Sequence, residues 1–449
     1  MNSLSAFAEL RFGMFLHFNM GTFTDEEWAA PHQDPKLFAP TAVDCEQWAA
    51  AAVAAKMSYG VLTAKHHDGF CLWPSAHTDY ASRDDIVERY VSAFRAAGLK
   101  VGLYFSIWDR TAGVQAPPRF GVAADQAVRP HHVTFVLDQL TELLTRYGPI
   151  DLLVTDGYAW QMGQRAVPYQ RIRETVRALQ PGIVMIDHAG LLEPFVGDAI
   201  YFEEPLGITA PPGNTYAGVQ GQTISDGWFW HPSTPTEQLM SKADILHHLA
   251  DLEPKYVSFL LNCPPNRDGV LDGNIVARLA EVAESWPGPD LSRPPLPPQP
   301  PRVEYPVTPA GAYASAGQDA DNAIDGLCAQ DHESSWSAGE LPQSLTVDLG
   351  ELWSGISALE YLPRQLERDA DDNGDVTACT ISTSVDGLTF APVATAAWAA
   401  DRTMKFARWP AVDARYVRIE VAAAAGGYAF IGNLRIGGEA TLPTRKGRK

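Results

Sequence analysis

The chain is short of cysteine, of positive charge and of long apolar runs, and each shortage narrows what it is. Its five cysteines, Cys45, Cys71, Cys263, Cys328 and Cys379, are scattered, odd in number and without CxxC spacing. That pattern indicates neither a disulfide framework nor a zinc site, so they read as small buried residues. Lysine and arginine total 34 against 54 aspartates and glutamates, a net charge of −20. Such a surface repels nucleic acid and anionic membranes and suits a neutral substrate. No segment approaches the length of a membrane span. The opening Met1-Asn2-Ser3-Leu4 meets no positive charge before Arg11, and it lacks the basic region, apolar stretch and cleavage site of a signal peptide. The expectation is a cytoplasmic protein, secreted or periplasmic if a leader is missing from the sequence.

What is present points to two parts. A chain of 449 residues exceeds one ordinary domain. From Pro287 to Pro301, eight of fifteen residues are proline, which disfavours helix and sheet pairing and favours an extended spacer. Before it, β-branched and aromatic runs alternate with Ala-rich amphipathic stretches. After it, short strands alternate with Gly, Asp and Asn turns, and helical periodicity is scarce. The division expected is a first domain over 1–290, a linker over 291–303, an all-β domain over 304–440 and a basic tail over 441–449.

The first part offers eight strands: Phe12–Phe18, Ser58–Thr63, Val101–Ile107, Ile150–Thr155, Ile183–Ile186, Ala199–Phe202, Thr223–Trp230 and Tyr256–Leu261. Helical stretches at Cys45–Lys56, Val87–Ala97, Pro130–Tyr147, Pro168–Leu179, Pro235–Leu249 and Gly273–Ser285 fill most gaps, several with proline in the first turn. The fifth-to-sixth and sixth-to-seventh connections are less clearly helical. The class predicted is α/β, a (β/α)8-like TIM barrel, whose chemistry gathers at the C-terminal ends of the strands. Polar residues fall there in register: His17; His66 and His67; Trp108 and Asp109; Asp156; Asp187 and His188; Glu203 and Glu204; Trp228 and Trp230; Asn262.

Lys65-His66-His67-Asp68-Gly69 is the loudest of these. A lone histidine is usually an ordinary core or surface residue, but two adjacent ones between Lys65 and Asp68 are harder to dismiss. In a continuing strand they face opposite sides, so both serve one pocket only where the strand breaks, and Asp68-Gly69 supplies that break. Asp156 closes an apolar strand and is followed by Gly157; Glu203 and Glu204 close another. Taken singly, these read as a turn aspartate and a solvated pair of glutamates. Together they place carboxylates across a barrel mouth, as glycosidic cleavage requires, provided that environment splits their pKa values. Phe15, Trp28, Trp73, Trp228, Phe229 and Trp230 are aromatics on which sugar faces can pack. The competing chemistry is a metal-dependent hydrolase with His17, His66, His67 and Asp156 as ligands, although adjacent histidines suit a metal poorly.

The segments Arg11–Phe18, Glu27-Trp28, Ala64–Phe70, Gly102–Asp109, Leu153–Gly157, Gly227–Pro232 and Leu260–Gly269 resemble, in order and spacing, the α-L-fucosidases of glycoside hydrolase family 29. The resemblance implies a retaining exo-α-L-fucosidase that needs no metal and acts on fucosylated glycans. By match, Asp156 is the nucleophile, and His17, His66 and His67 hold the fucose hydroxyls. Glu27, Trp28, Tyr104 and Asp109 fall in segments lining the sugar pocket, and Phe15, Trp228, Phe229 and Trp230 supply its aromatic face. Glu203 is the acid/base, with Glu204 the alternative. The Trp228–His231 run and the Trp108-Asp109 pair resemble the subgroup preferring α-1,3/1,4-linked fucose. Asp187-His188 stands where many relatives carry an arginine.

The second part resembles the F5/8 type C, or discoidin-like, jelly-roll β-sandwich found as a carbohydrate-binding module. The matching residues are Asn322–Gly326, Ser335-Trp336-Ser337, Leu345–Gly350, Tyr361–Arg364, Ser384–Gly387 and Ala414–Ile419. Many such modules hold a structural calcium ion with an acidic residue near the last strand, where this chain has Gly432-Asn433. The domain either binds sugar or supports the barrel. A non-catalytic glycan-binding protein that kept the barrel pocket is the remaining rival to an enzyme. Oligomeric state is not legible.

Overall fold

The run Tyr59–Lys65 shows no alternation of polar and apolar residues, and such a strand needs cover on both faces. In the computed structural model all seven of its residues are buried. The structure describes residues 3–114, 128–157, 169–188, 197–290, 292–299, 301–317, 319–324, 335–364 and 374–446, without the side chain of Asp187. Pro168, Leu291, Pro300, the Asp325-Gly326 pair, Cys328 and residues 447–449 of the basic tail lie outside them.

Eight parallel strands close into a barrel in chain order: β1 (Phe12–Leu16), β2 (Tyr59–Lys65), β3 (Lys100–Ser106), β4 (Leu152–Asp156), β5 (Val184–His188), β6 (Ala199–Glu203), β7 (Gly218–Thr223) and β8 (Val257–Asn262). Phe15, Tyr59, Val61, Tyr104, Val154, Ile186, Tyr201 and Val219 share one buried cluster, a packed barrel interior rather than a channel. Helix α1 (Ser3–Ala8) precedes the barrel; α2 (Met20–Thr24) and α3 (Cys45–Ala54) join β1 to β2. Then come α4 (Ile86–Ala96), α5 (Pro130–Arg146), α6 (Tyr169–Leu179), α7 (Lys242–Leu252) and α8 (Gly273–Ser285). Asp44 and Asp85 cap α3 and α4 by accepting from the Gln47 and Glu88 amides, satisfying donors that a helix start leaves open.

The seventh strand is a correction. The sequence pattern predicts a strand over the aromatic run Thr223–Trp230, but β7 is Gly218–Thr223 and Trp228–Trp230 lie in the loop after it. Glycine and glutamine give Gly218–Thr223 poor strand propensity. Its use is steric: a Cβ on Gly221 would stand 1.9 Å from the Tyr201 hydroxyl. The helix expected over Pro235–Leu249 likewise starts later, at Lys242, because Ser241 accepts from the Asp244 amide and caps it there. Only a 3-10 turn, Glu204–Leu206, is assigned between β6 and β7.

The chain divides into two compact units: one contains Met1–Gly190, Pro194–Pro205 and Asn214–Pro297, the other Pro298–Lys449 with Leu206–Gly213. The second unit is antiparallel. It contains β9 (Tyr305–Pro306), β10 (Gly311–Ala314), β11 (Trp336–Ala338), β12 (Gln343–Leu362), β13 (Val376–Ser384), β14 (Ala391–Ala397), β15 (Lys405–Ala424), β16 (Ala429–Ile431), β17 (Asn433–Gly438) and β18 (Thr444–Arg445). The larger sheet runs β14-β13-β15-β12-β17-β9, and β11 pairs with β16. The long β12–β15 ribbon carries register shifts after Asp348 and Ser354, which bend a strand and sharpen its twist. Trp336, Leu345, Ile356, Tyr361, Ile381 and Ile419 are buried in its core. Asn433 is buried and paired with Leu362. Among the described residues, no group of three or more His, Cys, Asp or Glu is arranged to hold a metal ion.

Candidate active site

The parallel register aligns Ser106 of β3 with Asp156 of β4, and Asp156 with His188 of β5. Residues opposite one another in a sheet point to the same face, so one row of strand ends delivers a hydroxyl, a carboxylate and an imidazole together. The Tyr104 hydroxyl donates to Asp156 Oδ2 at 2.5 Å and the Gly157 amide to Oδ1 at 2.5 Å. His188 Nδ1 lies 3.5 Å from Oδ1, and His67 Nε2 lies 3.7 Å from Oδ2. Burial by itself raises the Asp156 pKa. His188, His67 and the two donors outweigh it and hold the carboxyl below its usual range.

Glu203 has the opposite surroundings. His188 Nε2 lies 3.9 Å from its Oε2. Burial, opposed by His188 and reinforced by the charge on Asp156, lifts its pKa to about 7. The next residue reverses this. Glu204 accepts from Gln220 Nε2 at 2.7 Å and lies 2.7 Å from His248 Nε2. Burial would raise its pKa, but those bonds hold it below the ordinary value. Two adjacent glutamates thus differ in kind: Glu203 is poised to carry a proton, and Glu204 is bound as a carboxylate into an internal ion pair.

Strand β2 ends at Lys65, and the turn that follows brings the His66 and His67 rings to 4.1 Å centroid separation. Gly69 closes the turn at φ 97°, a conformation that favours glycine. A Cβ there would meet Asp109 Oδ1 at 2.1 Å. The Ser106 hydroxyl donates to the Trp108 carbonyl at 2.7 Å, so it accepts from His67 Nδ1 at 2.7 Å. Asn262 Nδ2 donates to the Trp228 carbonyl at 2.7 Å, which turns Oδ1 towards His17 Nδ1 at 2.8 Å. Burial lowers His17 to about 3 and His67 to about 4, and pushes His66 well below its usual value. His17 and His67 are therefore neutral near pH 7, each with its proton on Nδ1 and a bare Nε2 acceptor. An uncharged polar pocket fits neutral hydroxyls better than ions.

Phe15, Trp228 and Phe229 pack on His17 at centroid separations of 4.4, 4.9 and 5.3 Å. Trp28 is 43% exposed, edge-on to His67 and Trp108 at 5.5 Å. Three expected pocket residues are engaged elsewhere. Asp109 Oδ2 pairs with the fully buried Lys65 at 3.1 Å, while Oδ1 accepts from the Ala112 amide; the pair braces the histidine turn. Glu27 accepts from the Trp228 and Phe229 amides and lies 3.0 Å from His231 Nε2, pinning the aromatic loop. Trp230 donates to Asp272 at 2.6 Å. Sequence reasoning missed Ser106, Gln220, His231 and His248. Gln220 and His248 stand in no local motif; Ser106 and His231 lie within the Gly102–Asp109 and Gly227–Pro232 segments, and parallel register with β4 is the signal that could have singled out Ser106.

Residues 32–286 match the family model described as Alpha-L-fucosidase, and residues 307–434 match the F5/8 type C domain. Alpha-L-fucosidase 1 of Arabidopsis thaliana is 33% identical over 302 residues, covering 60% of this chain and 57% of that protein. The chain thus spans little more than half the length of the curated relatives it matches first. Among solved structures, an unliganded α-L-fucosidase from Lactobacillus casei aligns with TM-score 0.53 at 21% identity, covering 63% of this chain and 97% of that one. A Ruminococcus gnavus GH29 fucosidase in complex with fucose aligns with TM-score 0.52 at 18% identity, covering 98% and 94%. At that identity the structures speak for the fold alone. The family match extends over more than half of the chain, on a barrel whose strand ends gather Asp156, Glu203 and neutral histidines, and the chain belongs to the α-L-fucosidase family.

Proposed function

We propose that the protein is a retaining exo-α-L-fucosidase acting on neutral fucosylated glycans, with preference for α-1,3/1,4 linkages. One observation carries the reading: a single pocket holds an aspartate kept ionised by neighbouring histidines and two donors, and a glutamate that burial keeps protonated up to about pH 7, the division of labour that a glycosidase asks of two carboxylates. The Asp156 carboxylate attacks the anomeric carbon while Glu203 gives its proton to the departing glycosidic oxygen. Water then attacks the fucosyl-enzyme, Glu203 takes its proton, and Asp156 leaves as a carboxylate. His17 and His67 accept from sugar hydroxyls through Nε2, and Phe15, Trp228 and Phe229 pack against the apolar face of the sugar. Both chemical roles come from side chains, so the mechanism calls on no cofactor. The linkage preference rests on the likeness of the Trp228–His231 and Trp108-Asp109 segments to one subgroup.

Hydrolysis of an aryl α-L-fucoside followed by proton NMR tests this. The α-anomer of fucose should form first. The β-anomer first, or no release from the aryl fucoside and a panel of α-1,2, α-1,3, α-1,4 and α-1,6 fucosyl oligosaccharides, would overturn it. Faster cleavage of α-1,2 or α-1,6 links would overturn the linkage preference alone.

A further inference from the structure

His188 is the residue that the catalytic reading leaves without work. It ends β5 opposite Asp156, and its ring stacks on Tyr201 at 3.9 Å centroid separation, 28° from parallel. The stack fixes the plane of the imidazole, so its two nitrogens reach different carboxylates: Nδ1 is 3.5 Å from Asp156 and Nε2 is 3.9 Å from Glu203. Among the described residues Nδ1 is buried without a hydrogen-bond partner, which is costly unless a ligand or a charge compensates. A neutral imidazole has one N–H and one lone pair and can donate to only one of the two acids, whereas the imidazolium offers an N–H to each, whichever of them is ionised.

Resting on the assignment of Asp156 and Glu203 made above, we propose that His188 is a positioning residue whose imidazolium form is one counterion shared by both carboxylates, facing the negative charge at either site through the cycle. In the free enzyme the charge is on Asp156. When the Asp156 oxygen bonds to the anomeric carbon and the C1–O bond to the aglycone breaks, the Glu203 proton leaves with the aglycone. The charge is then on Glu203, still beside the same ring. When water adds to C1 and its proton returns to Glu203, the charge goes back to Asp156. One cation between the two sites avoids leaving either ion buried and unpaired at any stage.

Several other groups act on the ring. Asp156 faces it from β4, Tyr201 and Glu203 from β6, and Tyr104 from β3 at 6.4 Å. His17, His66 and His67 couple to it electrostatically from the ends of β1 and β2. The three histidines are held neutral by burial, so near neutral pH the opposed carboxylates are the charges that the ring feels most closely.

His188→Gln removes the charge and keeps a polar group; His188→Phe keeps a ring to stack on Tyr201. Two shapes guard against one variant failing to fold. The readout is kcat/KM of the full-length protein on an aryl α-L-fucoside across pH. Loss of a shared cation raises both carboxyl pKa values, so both limbs of the profile should move up by about 1 pH unit. A merely structural histidine would lower activity at every pH without moving either limb. Superposition of the normalised profiles on wild type overturns the proposal, and so does movement of the acid limb alone, which would make His188 a partner of Asp156 only. Asp156→Ala run beside them separates the two readings: wild-type activity in that variant sinks the catalytic assignment, whereas its inactivity with unmoved His188 profiles sinks the counterion alone.

Discussion

The ends of β4 and β6 present carboxylates to one pocket and treat them in opposite ways. At β4, Asp156 receives a tyrosine hydroxyl and a backbone amide and sits beside two histidines. At β6, Glu203 has burial and a negative neighbour working against its ionisation, and its sequence neighbour Glu204 takes the donors of that region instead. Residue type decides little here; burial, neighbouring charges and the donors that reach each oxygen set the two carboxyls apart.

The contrast breaks first at Asp156. Asp156→Ala should cost kcat/KM about 10^4-fold or more while leaving thermal unfolding near that of wild type, since an activated nucleophile is the hardest part to replace. Glu203→Gln should cost about 10^2- to 10^4-fold on oligosaccharides, the usual worth of a general acid, whereas Glu204→Gln should leave the chemistry largely intact. Wild-type activity should decline as pH rises through about 7, where Glu203 loses its proton. Its acid limb should lie below the ordinary carboxylate range, because Asp156 ionises early.

Two further variants probe the supports on each side. Asp109→Ala leaves the fully buried Lys65 without its carboxylate. It should destabilise the protein by about 3–5 kcal/mol in chemical denaturation, and loosen the turn that carries His66 and His67. His248→Ala on the β6 side should cost roughly 2 kcal/mol, a charge-assisted bond that is partly exposed. Burial lowers the His248 pKa, but its bonds to Glu204 and the Asp244 carbonyl raise it overall. Its contribution is then fully present below the ordinary histidine value and lost as pH rises through the raised one. The Glu204 contribution has the opposite sign and is lost on acidification through its lowered value. The gap between wild type and His248→Ala should therefore narrow well above neutral pH, as read by urea midpoints.

Much of this was legible in the chain. Buried parallel strands announce themselves as unbroken apolar runs, as at Tyr59–Lys65 and Leu152–Asp156, and the Asp68-Gly69 break placed His66 and His67 in one pocket because that geometry is local. What failed to show is what long-range contacts decide. Strand β7 hides because Gly221 is selected by the ring of Tyr201 rather than by propensity. Asp109 reads as a pocket residue until Lys65, 44 positions away, is seen to occupy it. The choice between Glu203 and Glu204 rests on Gln220 and His248, 16 and 44 positions beyond Glu204. Adjacent identical side chains carry no local mark of such partners.

That choice is also where one measurement reaches furthest. Glu203→Ala and Glu204→Ala, assayed on an aryl α-L-fucoside with and without sodium azide, separate a lost acid/base from a lost structural bond. Azide should accelerate Glu203→Ala and yield α-L-fucosyl azide, by attack on the fucosyl-enzyme from the face opposite Asp156, and should leave Glu204→Ala unchanged. Rescue of Glu204→Ala with none for Glu203→Ala would contradict the assignment of the proton to the buried, donor-poor glutamate.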